Sequence, residues 1–132
     1  MNAMRGANAY AKVGVESGVM SASPHQLIVM LFDGALASIR TAALHMEGGN
    51  PAEKGRAISR AIDIVNNGLM AGLDHERGGE LAERLEQLYD YVVRLLMQAN
   101  LYNDPQRLDE AISLLGDIAS AWREIGPQIN GQ

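Results

Sequence analysis

Apolar residues recur along most of this chain at alternating steps of three and four. Ile28, Phe32, Ala35, Ile39, Ala42 and Met46 form the first series. Ile58, Ala61, Ile62, Val65 and Leu69 form a second, and Leu81, Leu85, Leu88, Val92, Leu95 and Ala99 a third. Leu108, Ala111, Ile112, Leu115, Ala119 and Trp122 form a fourth. Such spacing lines one face of an α-helix. Strand signals are absent.

Three of these series open on a helix start. Ser23-Pro24 with Gln26, and Asn50-Pro51 with Glu53, each supply an N-cap, a proline in the first turn and a capping box. Asp104-Pro105 starts the fourth helix in the same way. Gly48-Gly49, Gly72 and Gly126-Pro127 read as stops. The polar, glycine-rich stretch 73–79 reads as a loop, so the third helix is expected from about Glu80. The elements are therefore helices over 23–47, 51–72, 80–102 and 105–125. An N-terminal arm, 1–22, precedes them and a tail, 126–132, follows, all in a single domain, 1–132. Four helices of similar length joined by short turns predict an all-α, antiparallel up-down-up-down four-helix bundle with an N-terminal arm or short capping helix.

One inward stripe per helix is enough for such a bundle, and this chain carries more. Leu27, Met30 and Leu31 lie beside the first seam, next to Gly34. Ile64 belongs to a weaker second stripe on helix 2. Tyr89, Val93 and Met97 continue a second stripe on helix 3, and Ile118 widens the seam of helix 4. The arm adds Tyr10 and Val15. Burying a medium-sized apolar side chain is worth roughly 1.5–3 kcal/mol, so several left wet would be costly. The arm, a second copy of the chain, or a partner helix or extended segment in a groove could cover them.

Composition narrows the chemistry. There is no cysteine, which excludes disulfides, thiolate metal sites and cysteine nucleophiles. The net charge is −5 with both signs interspersed, unlike a nucleic-acid groove. The first 20 residues lack the apolar core of a signal peptide, and no apolar run is read as reaching the length of a membrane span. A cytoplasmic protein with no membrane insertion is expected. His25 and His45 stand about 30 Å apart along one helix and cannot share a metal. No histidine has a glutamate three residues before it, as a di-iron bundle needs. His75-Glu76 lacks the second zinc-ligand histidine at Gly79. Ser23 is accounted for by its cap, and Asp33 has no acid or base partner at helical spacing. No catalytic residue, metal site or cofactor is expected. The seven methionines suit a surface that adapts to a partner, or plain helical core filling; with no acid or base partner to name, a binding protein is the reading.

Several segments together resemble the FliS family of flagellar secretion chaperones. Ala9-Tyr10, Val15, Ser23-Pro24-His25-Gln26-Leu27-Ile28 and Leu31-Phe32-Asp33-Gly34-Ala35 are similar to its N-terminal signature. Gly79-Glu80-Leu81-Ala82, Leu85, Leu88-Tyr89-Asp90-Tyr91, Leu96 and Ala99-Asn100 are similar to its third helix, and Leu115 with Trp122 to its last. Family members often carry further aromatic residues near the start, where here Tyr10 stands alone. The resemblance spans about Ala9 to Trp122. It implies a bundle that binds the disordered C-terminal segment of flagellin, blocks premature polymerisation and supports export in flagellum assembly. Export-gate components and a homodimer stay open as further partners. The alternative is a self-associating structural or regulatory helical-bundle adaptor. The partner-binding residues expected are Tyr10, Val15, Leu27, Met30, Leu31, Ile64, Tyr89, Val93, Met97 and Ile118.

Overall fold

A computed structural model describes Ala9 and residues 22–126. Among these residues the chain is all-α, built as a four-helix bundle. Helix α1 runs Pro24–Glu47 and α2 Pro51–Asp63; α2 continues as a π-helix, Ile64–Met70. Helix α3 runs His75–Tyr102 and α4 Pro105–Ile125. Helix α1 packs between α2 and α4, and α3 packs against α4 and the π segment.

Local chemistry explains the helix ends. Ser23 Oγ accepts the Gln26 amide and Gln26 Oε1 accepts the Ser23 amide, each at 3.1 Å. This reciprocal box satisfies two amides that the first turn of α1 would otherwise leave unpaired. Asn50 behaves differently from the box expected of it. It makes no side-chain cap bond; its Nδ2 lies 3.4 Å from His45 Nδ1, and Glu53 pairs with Arg56 at 2.8 Å. Asp104 caps α4 by accepting the Gln106 amide at 3.0 Å. The α3–α4 turn is tight because Asn103 takes the left-handed conformation, φ 53°, which asparagine tolerates.

Helix α3 starts five residues before the expected Glu80. Asp74 accepts the amides of Glu76 and Arg77 at 3.1 and 3.2 Å, which is N-cap geometry. The helical run is broken at Gly79, φ 52° and ψ −125°, a conformation open to glycine. The Gly78-Gly79 pair thus joins a short turn to the main helix.

The core contains Ile28, Phe32, Ala35, Ile39 and Ala42 from α1. Ile58 and Ala61 of α2 join it, with Val65 and Leu69 of the π segment. Helix α4 adds Leu108, Ala111, Leu115, Ala119 and Trp122. On α3 the expected seam holds at Val92, Leu95 and Ala99, which are buried, and shifts over the preceding turns. Ala82, Tyr89 and Leu96 are fully buried, whereas Leu81 and Leu85 are half-buried and Leu88 is exposed. The Tyr89 and Phe32 rings lie 6.4 Å apart in a tilted arrangement. Among the described residues, α1 is also the one helix long and apolar enough to cross a membrane. This corrects the expectation that no stretch reaches that length. In this fold its Ile28–Ile39 face is packed in the bundle core.

Candidate functional site

Two of the expected partner-binding residues, Leu31 and Ile64, meet between α1 and α2. The two helices interlock through reciprocal large-on-small contacts. A Cβ on Gly68 would lie 2.9 Å from Leu31 Cδ2, and one on Gly34 would lie 3.4 Å from Ile64 Cδ1. Each branched side chain therefore rests on a glycine of the opposite helix. The π segment belongs to this arrangement. Its wider turn, closed by the Ala71 amide on the Asn66 carbonyl at 3.0 Å, carries both Ile64 and Gly68 toward α1. Leu27 and Leu31 are half-buried, while Met30 is 61% exposed.

Beyond the Leu31–Ile64 interlock the helices leave an open groove of about 450 Å³. Gly34, Ala37, Ser38 and Thr41 line it from α1, and Ala57 from α2. Small side chains let another backbone approach closely. His45, Glu53, Arg56 and Arg60 border the same groove, with Glu53 paired to Arg56, so its edge is polar and carries both signs of charge. An amphipathic segment could lay apolar side chains along this track.

The other expected residues are dispersed. Met97, on α3, is 58% exposed. Ile118, on α4, is half-buried against the core. Tyr89 is 0% and Val93 8% exposed, so in this conformation both belong to the core, which differs from the surface stripe expected of them. Tyr10 and Val15 lie outside the described residues. Ala9, however, is fully buried. Its carbonyl accepts the Asp74 amide at 2.6 Å, and a Cβ on Gly78 would lie 2.8 Å from Ala9 Cα. Ala9 therefore packs against the start of α3, and Gly78 permits the close approach.

Exposed apolar side chains that the seam pattern did not single out lie toward the C-terminal ends of α1 and α3. Leu44 is 68%, Leu101 73% and Tyr102 66% exposed. Leu44 and Leu101 stand opposite their seams near a helix end, which spacing alone treats as incidental, whereas Tyr102 continues the α3 spacing one step past Ala99.

Polar groups here serve structure. His25 Nε2 lies 2.9 Å from the Trp122 carbonyl, and Trp122 Nε1 donates to the His25 carbonyl at 3.1 Å. Their rings stack at 5.1 Å. Because a carbonyl only accepts, His25 holds its proton on Nε2. Asp33, on the exposed side of α1, pairs with Arg123 of α4. Tyr91 donates to Glu110 at 2.6 Å. That hydrogen bond, with burial and the Glu110 charge, raises the phenol's pKa above its ordinary value. Among the described residues no group of three His, Asp or Glu side chains could hold a metal ion. The geometry suits binding.

Comparison with known proteins agrees in character. A family model described as "Flagellar protein FliS" matches residues 6–129. A flagellar secretion chaperone FliS of Salmonella typhimurium is 56% identical over 127 residues, covering 96% of this chain and 94% of the relative. One from Escherichia coli is 49% identical over 124 residues, covering 94% and 91%. One from Bacillus subtilis is 31% identical over 109 residues, covering 83% and 80%.

Proposed function

The chain belongs to the FliS family of flagellar secretion chaperones, and from that membership we propose that it holds the C-terminal segment of flagellin in the cytoplasm before export. The observation that carries the reading is the family match over nearly the whole chain. A segment that is disordered alone needs a long apolar track to offset its ordering. The α1–α2 groove, flanked by the Leu31–Ile64 interlock and with Leu27 and Met30 on the turn of α1 before Gly34, offers the start of one. Met97 and Ile118 supply further contacts on other faces. Tyr89 and Val93 support the bundle from beneath and reach cargo only where the surface above them opens. Tyr10 and Val15, in the arm, compete with cargo for apolar surface. While the chaperone covers the segment, its apolar stripe is withheld from other flagellin molecules, which prevents premature polymerisation. Export-gate components receive the loaded complex.

Titration with cognate flagellin, and with flagellin lacking its C-terminal segment, tests this. Saturable binding of the first and loss of binding for the second is the expected result. Equal binding of both would sink the proposal. Self-association is the competing reading, favoured by the exposed Leu44, Leu101 and Tyr102. Sedimentation of the free protein separates the two, because a stable dimer that blocks flagellin would favour self-association.

A further inference from the structure

Lys54, in the first turn of α2, is only 7% exposed. Its Nζ donates to the Asn100 carbonyl at 3.2 Å and to Asn103 Oδ1 at 2.9 Å. Both acceptors are neutral, and among the described residues no carboxylate pairs with Lys54. The last turn of α3 favours a cation, which accounts for the side chain's position but not for what lies beside it. That neighbour is a cavity of about 350 Å³. Lys54, Asn100 and Asn103, with His45 and Asn50, supply its polar lining; Met46, Pro51 and Leu101 supply its apolar lining. Leu101 is 73% exposed and stands as an uncovered apolar wall.

An ammonium carries three donors, and the protein uses two. A buried cation held only by neutral dipoles gains most from a full negative charge, because charge-assisted hydrogen bonds are about twice as strong as neutral ones. The cavity lies where the α1–α2 turn meets the end of α3, whereas Ala9 docks at the start of α3. The cavity therefore sits at one end of the bundle, where the end of a bound chain can meet Lys54. We propose that this cavity binds the α-carboxylate of the cargo's last residue, with Lys54 as its anchor and Leu101 and Met46 against the neighbouring apolar side chain. The inference rests on the reading of this protein as a chaperone of the flagellin C-terminal segment.

The test uses the full chain and two synthetic peptides of the cognate flagellin C-terminal segment, one with a free carboxylate and one amidated. The free acid is expected to bind about tenfold more tightly, as one charge-assisted hydrogen bond requires. In Lys54→Met, checked for fold by circular dichroism, the two peptides should bind alike. Equal binding of both peptides to the unaltered protein would overturn the inference, as would a free-acid preference that survives in folded Lys54→Met. Should that variant fail to fold, Asn103→Gly serves instead. Glycine accepts the left-handed backbone, and loss of the competing Oδ1 acceptor leaves Lys54 freer, so the free-acid preference should persist or grow. Its disappearance would count against the assignment. Intact flagellin is titrated in parallel. If flagellin binds and the peptides do not differ, only the carboxylate site fails; if flagellin does not bind, the chaperone reading itself fails.

Discussion

The His25–Trp122 pair joins the beginning of α1 to the end of α4 through two buried hydrogen bonds and a ring stack. Replacing Trp122 with Phe keeps an aromatic ring but removes the indole donor. A loss of about 1 kcal/mol in unfolding free energy is expected, read as a lower denaturant midpoint with an unchanged slope. Tyr91 gives a pH-dependent counterpart on the surface. Its folded pKa is raised above the ordinary 10.0, first by the hydrogen bond to Glu110. The protonated phenol's contribution is therefore whole below the ordinary value and is lost as pH climbs through the raised one. Ultraviolet titration of the protein against Tyr91→Phe should show one phenol ionising late. In Glu110→Gln that phenol should ionise earlier, because the acceptor charge is gone.

The glycines of the interhelical contacts are not equivalent at the scale of whole elements. At Gly68 an added methyl meets the far end of the Leu31 side chain, which can turn aside. At Gly78 it meets the backbone of Ala9 and the Cβ of Ala82, both at 2.8 Å. Gly78→Ala is therefore expected to cost about 1–3 kcal/mol by overpacking, well above Gly68→Ala. Faster hydrogen exchange at the Asp74 amide, which Ala9 now holds, would report that the N-terminal segment has been displaced. The same contact explains why the start of α3 is hard to read from sequence. Two adjacent glycines resemble a loop, and only the packing of Ala9 against Gly78 shows why a glycine stands inside the helical run.

At the scale of the molecule, binding and stability should separate by face. Met30 is exposed beside the α1–α2 groove, so Met30→Glu should change stability by no more than about 0.5 kcal/mol while weakening flagellin binding. Unchanged affinity would remove this groove from the cargo track. Tyr89→Ala, by contrast, should cost on the order of 3–5 kcal/mol, as large-to-small changes of a buried aromatic do. Helicity and affinity measured together on each variant distinguish the two classes.

Much of the bundle was legible because local rules act over three or four residues. Ser23, Pro24 and Gln26 carry the start of α1 in their own chemistry, and the seams of α1 and α4 are uninterrupted enough to identify their buried faces. On α3 the expected seam is buried at Val92, Leu95 and Ala99, but before them two apolar stripes compete, and spacing points to Leu81–Leu85–Leu88 where the fold buries Ala82 and Tyr89. Both choices satisfy helical periodicity, and only the rotation of α3 against Phe32 separates them. Likewise, sequence singles out Leu31 and Ile64 one by one, but cannot show Leu31 on Gly68 and Ile64 on Gly34 forming one interlock. Nor could it set Lys54 beneath the end of α3, since its partners lie 46 and 49 residues away. The chain by itself determined helix identity, most helix ends and family, which are written in short-range pattern and in residue order. Tertiary structure alone decided which apolar stripe is core in the first turns of α3, where Ala9 packs and where a buried charge meets a cavity, because each depends on contacts between residues far apart in sequence.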